Sequence, residues 1–188
     1  MKFDLAATRA RLGADAWAEI RKPRTLATAA MLAALNLVLN QFTIPVSQLL
    51  EIGFDFLTVA ATAYLCGPWV AGLSGFITDV MGYLLRPNGP YFPGFTLSAV
   101  LLGIVYGLWY YKKEVSIPRI IGCKLTVTLL FNFLLTPLWL HIMYGQAFVL
   151  LSSMRIIKNL IKFPVDVALM YLVLRTCARY RQNNGPRK

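Results

Sequence analysis

Long stretches without charged side chains dominate this chain of 188 residues. Residues 25–50, 87–111 and 125–154 contain no Asp, Glu, Lys or Arg. A helix crosses the hydrocarbon of a bilayer with roughly 20 apolar residues, so each of these stretches is long enough to span a membrane. Hydrophobic residues make up 57% of the chain, against about 45–50% in soluble domains. The sequence therefore predicts an integral membrane protein.

Proline, glycine and charged residues divide the apolar stretches into the helices of an all-α bundle. We predict six transmembrane helices at about 23–41, 56–66, 69–85, 93–111, 118–144 and 150–179. Residues 42–55 are expected to form a loop, in part re-entrant. Pro137 and Pro164 lie inside predicted helices and should kink them or free a backbone carbonyl.

Basic residues indicate the orientation of this bundle. Fifteen of the 19 Lys and Arg side chains fall on one side of six helices: those in 1–24, Lys112, Lys113, Arg119, Lys124 and those after 174. The positive-inside rule then puts both termini in the cytoplasm. We expect a cytoplasmic leader or surface helix (1–22), a six-helix membrane domain (23–179) and a cytoplasmic polar tail (180–188), in a multi-pass protein of a bacterial cell membrane. Because these charges flank the helices, the net charge of +11 does not predict a nucleic-acid partner.

The remaining basic residues do not follow the orientation rule: Arg86, Arg155, Lys158 and Lys162. The last three occupy positions i, i+3 and i+7 of the sixth predicted helix and share a face. A cation inside a bilayer costs about 2.5–3.5 kcal/mol, so these side chains either snorkel to outer headgroups or line a cavity for an anionic ligand. The internal carboxylates are Asp79, expected to be structural, and Asp166.

The loop 86–95 is the most specific segment of the chain. Its three prolines restrict the backbone and lower the entropic cost of a fixed shape. Tyr91, Phe92 and Phe95 can offer flat faces to a planar ring, and Asn88 can hydrogen-bond to ring edges. The alternative is a rigid lid whose aromatic side chains only anchor it at the membrane interface.

Catalytic motifs are missing from the sequence. There is no nucleotide-binding P-loop, no Ser-His-Asp arrangement and no metal-ligand spacing around His141 or the three cysteines. We therefore expect no enzymatic activity and no cofactor, and any ATP dependence must come from a partner. On the first predicted helix, Ala30 and Ala34 form a small-x-x-x-small pair of the kind that allows another helix to approach closely.

Three blocks of sequence together resemble the folate family of substrate-binding (S) components of energy-coupling factor (ECF) vitamin transporters. They are AMLAALNLVL at 30–39, GPYFPGFTLSA at 89–99 with GIVYG at 103–107, and RIIKNLI at 155–161 followed by Pro164. The likeness covers about residues 24–176. Lys162 and the first loop, 42–52, depart from the family pattern.

This resemblance implies a six-helix membrane subunit that captures folate at the outer face and has no catalytic activity. Its partners would be a membrane coupling protein (T component) and two ATP-binding subunits (A components), which drive its reorientation and inward release of folate. Ala30 and Ala34 would dock the coupling protein. A planar pterin suits aromatic stacking and the two carboxylates of the glutamate tail suit cations, so the candidate ligand contacts are Arg155, Lys158, Asn159, Asn88, Tyr91, Phe92, Phe95, Arg86, Trp139 and Phe42.

Other functions remain open at this point. The chain could bind a different vitamin, although basic residues on the sixth helix argue against a cationic one. An intramembrane enzyme such as a lipid-modifying transferase lacks a plausible nucleophile or acid pair. A scaffold subunit would bind no small molecule.

Overall fold

The computed structural model describes residues 20–42, 44–47, 50–87, 90–144 and 148–184, and their side chains except in 44–52, 144–161 and 183–184. The elements in chain order are α1 (Pro23–Gln41), β1 (Ile44–Ser47), β2 (Leu50–Ile52), α2 (Phe56–Cys66), α3 (Pro68–Leu85), α4 (Pro93–Tyr110), α5 (Ile117–Val127), a π-helical segment (Thr128–Leu135), α6 (Thr136–Tyr144) and α7 (Phe148–Asn184). The predicted helical bundle is confirmed.

Prolines and one glycine set most helix boundaries near their predicted positions. Pro23, Pro68 and Pro93 each occupy the first turn of a helix, where the missing N–H has no helical partner to lose. Gly67 has φ 91° between α2 and α3, a left-handed conformation that glycine adopts without strain. Within the described part of the chain, residues 93–110 and 117–143 form helices long and apolar enough to cross a membrane.

The fifth predicted helix is continuous in space but changes its hydrogen bonding along its length. Between α5 and α6, residues 128–135 form a π-helix, and the N–H of Thr136 bonds to the carbonyl of Phe131 five residues earlier. Pro137 follows directly and cannot donate to the carbonyl four residues before it. The wider turn accommodates this proline, so a π-helical segment that the sequence did not predict stands directly before it.

The predicted loop 42–55 contains a short antiparallel hairpin that the sequence analysis missed. Strand β1 pairs with β2 in the register Ile44 to Ile52, with a bulge between Pro45 and Ser47. The following helix, α2, has 11 residues and is about 16 Å long at 1.5 Å per residue. At this length, α2 alone is too short to cross a hydrocarbon layer of about 30 Å.

An asparagine of α1 fixes the start of α2. Asn36 is 5% exposed, and its Nδ2 donates to the carbonyl of Asp55 at 3.0 Å and to Thr58 Oγ1 at 2.6 Å. These bonds satisfy polar groups that a membrane cannot solvate. They hold Asp55 and the residues beside it against the centre of the bundle.

Close helix crossings complete the framework of the bundle. A side chain at Gly75 of α3 would place its Cβ 2.5 Å from the carbonyl oxygen of Ala99 in α4, and Gly103 of α4 lies equally tightly against Ala71. The absence of a side chain at these two glycines lets α3 and α4 approach to backbone contact. The buried core, which includes Tyr106, then joins α4, α5 and α7.

Candidate functional site

A cavity of about 270 Å³ lies at the centre of the bundle. Its walls come from the residues before α2 and the first residue of α2, from α4, from α5, the π-helical segment and the start of α6, and from α7. Uncharged polar groups on the walls include Ser98, Asn132 and Thr136. Four charged residues also line it, which we call the charged cluster: Asp55, Lys124, Lys162 and Asp166.

Ion pairs hold the charged cluster together. Lys124 Nζ lies 2.8 Å from Asp166 Oδ2, and the two side chains are 10% and 5% exposed. Lys162, one helical turn before Asp166, lies 3.6 Å from its Oδ1 and donates to the carbonyl of Gly53 at 2.8 Å. Lys124 also stands 3.9 Å from the centroid of the Phe56 ring, a cation–π distance. Each buried cation thus has partners that offset its desolvation.

One expectation about the lysines is wrong, and one alternative is decided. Lys124 was expected at the cytoplasmic end of the bundle with Lys112 and Lys113, but it is 8% exposed and paired with Asp166. Counting charges at helix ends cannot detect a carboxylate on another helix that neutralises one of them. Of the two alternatives left open for Lys162, the structure agrees with the cavity: its side chain lines it and bonds to Gly53 and Asp166.

Aromatic side chains from the loop and from α6 lie beside this cavity. Phe92 packs against Phe95 with ring centroids 6.1 Å apart and against Trp139 at 5.7 Å. Trp139 Nε1 donates to Ser98 Oγ at 2.9 Å, and Ser98 lines the cavity. We call Phe92, Phe95 and Trp139 the aromatic cluster. It brings together three of the predicted ligand contacts. None of the three lines the cavity itself, and the cluster is joined to the cavity wall through Ser98.

Asp79 anchors the loop, in line with the structural role expected for it. Thr96 Oγ1 donates to Asp79 Oδ2 at 2.7 Å and lies 2.7 Å from the hydroxyl of Tyr91. Since Thr96 has one proton to donate, Tyr91 must donate to Thr96. The ring of Tyr91 packs against Tyr83 at 5.2 Å, so Tyr91 serves here to fix the loop and does not line the cavity.

The other predicted site residues divide into two groups. Arg86 is exposed, Phe42 is 69% exposed, and neither lines the cavity. Arg155, Lys158 and Asn159 lie on α7, the helix that carries Lys162 and Asp166, but their side chains are outside the described set. Asn88 lies outside the described residues.

Residues of the proposed docking face lie where a partner can reach them. Ala30 and Ala34 are exposed on α1, whereas Ala29 is buried against Cys66 and Val70. The outer face of α1 therefore carries these two small side chains beside larger apolar ones such as Met31 and Leu35, and the inner face packs against α2 and α3.

A larger cavity of about 600 Å³ lies at a different position, where α4 ends and α7 approaches its C-terminus. It is surrounded by basic side chains: Lys112, Lys113, Arg175, Arg179 and Arg181. These belong to the cations predicted to flank helices at the cytoplasmic face. We assign the candidate site to the central cavity because its walls include Lys162 and Asp166 of α7 and Ser98, which hydrogen-bonds to Trp139 of the aromatic cluster.

Sequence reasoning missed the polar walls of the central cavity and the role of Asn36. Ser98, Asn132 and Thr136 were not singled out, and Asp55 was assigned to a loop. A usable signal was present, because uncharged polar residues within an apolar helix need internal partners. Lys124 and Asp166 carry the same signal more strongly, as opposite charges on two apolar segments.

The chain is similar to known proteins over most of its length. The sequence model for the family described as "ECF transporter, substrate-specific component" matches residues 24–174. The chain is 34% identical to the folate transporter FolT of Clostridium novyi over 152 residues, covering 81% of this chain and 88% of that protein. It is 35% identical to FolT of Leuconostoc mesenteroides over 151 residues, covering 77% and 81%.

A solved structure also resembles the fold. The crystal structure of FolT bound with folic acid superposes with a TM-score of 0.75 at 39% sequence identity, covering 80% of this chain and 92% of that one. Sequence and fold therefore agree over most of the chain. This protein belongs to the family of substrate-specific components of ECF transporters.

Proposed function

We propose that this protein is the folate-binding subunit of an ECF transporter and has no catalytic activity of its own. The observation that carries the proposal is the central cavity, which is lined by charged and polar groups and is joined to the aromatic cluster by the hydrogen bond from Trp139 to Ser98. The relatives support the choice of ligand, since FolT has been crystallised with folic acid and is 39% identical.

The two ends of folate suit two kinds of side chain. Its flat pterin can stack on Phe92, Phe95 or Trp139, whose faces meet at tilted or edge angles. Its two tail carboxylates suit Arg155 and Lys158, because hydrogen bonds between charged partners are about twice as strong as neutral ones.

The proposed membrane arrangement has six spans, with both termini in the cytoplasm. Basic residues from the α4–α5 connection and from the end of α7 lie around one cavity, which supports placing them at one membrane face. Because Lys124 pairs with Asp166 inside the bundle, it no longer counts among the basic residues assigned to the cytoplasmic face. The excess of basic residues at that face remains.

The proposed partners are a membrane coupling protein and two ATP-binding subunits. Exposed Ala30 and Ala34 lie one helical turn apart on α1, a spacing that suits the close approach of a second helix. ATP hydrolysis by the partners would drive reorientation of this subunit, with release of folate into the cell.

The direct test is a titration of the purified protein that follows the fluorescence of its four tryptophans. We expect saturable quenching by folate at one ligand per chain, weaker binding of pteroate, which lacks the glutamate, and none of thiamine. Trp139→Phe should remove much of the fluorescence quenching. Calorimetry on this variant then shows whether folate binding itself is lost or only the fluorescence signal. Preferential binding of thiamine or nicotinate would contradict the proposal.

A further inference from the structure

Lysine side chains of the charged cluster already use their charge within the protein. Lys124 pairs with Asp166 Oδ2 at 2.8 Å and stands over the ring of Phe56. Lys162 donates to the carbonyl of Gly53. Both ammonium groups are therefore engaged by groups of this chain before any ligand arrives.

Asp166 differs from these lysines because one of its carboxylate oxygens, Oδ1, accepts no hydrogen bond from the described residues. The residue is 4% exposed. Lys162 approaches this oxygen only to 3.6 Å. A buried carboxylate oxygen without a donor is destabilising. Since Asp166 also lines the central cavity, a ligand entering that cavity can supply the donor.

The total charge of the cluster decides which end of a ligand it favours. The formal charges of the cluster sum to zero, because it holds two lysines and two aspartates, Asp55 and Asp166. A dianionic tail would gain no net attraction here and would meet two carboxylates. An uncharged ring edge that carries N–H donors complements the open acceptor instead.

We infer that Asp166 accepts hydrogen bonds from the amino group and ring N–H of a 2-aminopyrimidinone edge, and so selects ligands that carry this edge. The inference rests on the proposed function, and it assigns the ring edge to Asp166 in place of Asn88 or Asn159. Lys124 acts as a positioning residue, because it holds the other carboxylate oxygen at 2.8 Å.

The order of residues on α7 agrees with this direction of binding. Arg155 precedes Asp166 by eleven positions on the same helix, about 16 Å at 1.5 Å per residue. The cations proposed for the tail are thus separated from the ring-binding carboxylate by a length in which the aromatic linker can lie.

The test compares folate with 2-desamino-2-methylfolate, which lacks the amino donor, and with pteroate, which lacks the tail. Affinities are measured by calorimetry on the full chain in detergent. We expect the wild type to bind the desamino analogue about 10- to 100-fold more weakly than folate, the range of a hydrogen bond to a charged group.

The matched variant is Lys124→Met/Asp166→Leu, which removes both charges together and leaves neither buried alone. It should bind folate and the desamino analogue with similar affinity, while keeping the wild-type preference for folate over pteroate. Lys113→Met, an exposed lysine, is the control and should discriminate as the wild type does.

Equal wild-type affinity for folate and the desamino analogue would overturn the inference without any variant having to fold. So would undiminished ring discrimination in the double variant. Loss of its preference for folate over pteroate would also overturn the inference, since the tail carboxylates would then be bound by Lys124 in the wild type. All three results leave folate binding by the wild type intact. Absence of saturable folate binding by the wild type would overturn the proposed function itself, and the inference with it.

Discussion

Replacement of Lys124 by methionine tests the buried charge pair at the centre of the bundle. Methionine matches the length of the lysine stem but leaves the Asp166 carboxylate without its 2.8 Å partner. Breaking a buried pair from one side costs about 3–5 kcal/mol. We expect the lower end, about 3 kcal/mol, because Lys162 remains 3.6 Å from the second oxygen.

This loss is large enough to measure as a change in thermal stability. For a chain of this size, 1 kcal/mol corresponds to about 2–4 °C in Tm, so Lys124→Met should melt about 6–12 °C lower. The assay is intrinsic fluorescence during heating of the purified protein in detergent, without ligand. Lys113→Met removes an exposed lysine and should change Tm by no more than about 2 °C.

The double variant Lys124→Met/Asp166→Leu decides whether the two side chains act as a pair. Replacing both charges by apolar side chains is often neutral or stabilising, so most of the lost Tm should return. If the double variant were instead less stable than Lys124→Met, and its loss relative to the wild type equalled the sum of the two single losses, the two side chains would act independently. That result would refute the reasoning.

Three further variants test the helix crossing, the docking face and the tail site. Gly75→Ala should lower Tm, because overpacking against a backbone carbonyl costs about 1–3 kcal/mol; Gly82→Ala meets only a side-chain amide at 3.2 Å and should be tolerated. Ala34→Trp should leave folate binding unchanged but abolish uptake in cells with an intact coupling module, whereas Leu172→Trp, on an exposed position of α7, should do neither. Arg155→Ala should weaken folate binding at least about tenfold with an unchanged melting curve, and unchanged affinity in calorimetry would remove Arg155 from the site.

Helix positions were predictable because their boundaries carry strong local signals. Prolines such as Pro68 and Pro93 fix the first turn, and charges and glycines close the apolar stretches. The hairpin in 44–52 and the π-helical segment before Pro137 were not predictable in the same way. Both depend on where the backbone finds hydrogen-bond partners within the bundle, which local composition does not reveal.

The aromatic residues of the candidate site carry a local sequence signal, whereas the pairing within the charged cluster has none. Phe92 contacts both Phe95 and Trp139. Phe92 and Phe95 could be singled out because they belong to a proline-rich loop between two apolar helices. Lys124 and Asp166 are 42 positions apart and pair only through the packing of α5 on α7. A rule that treats each lysine by its distance from a helix end assigns Lys124 to the wrong place.

Structure determination of the protein with bound folate tests the central claim most directly. The account predicts ligand density in the central cavity, with the ring edge within hydrogen-bond distance of Asp166 and the ring beside Phe92 or Trp139. Folate bound elsewhere, for example among Arg175 and Arg179, with the central cavity filled by side chains or lipid, would contradict it.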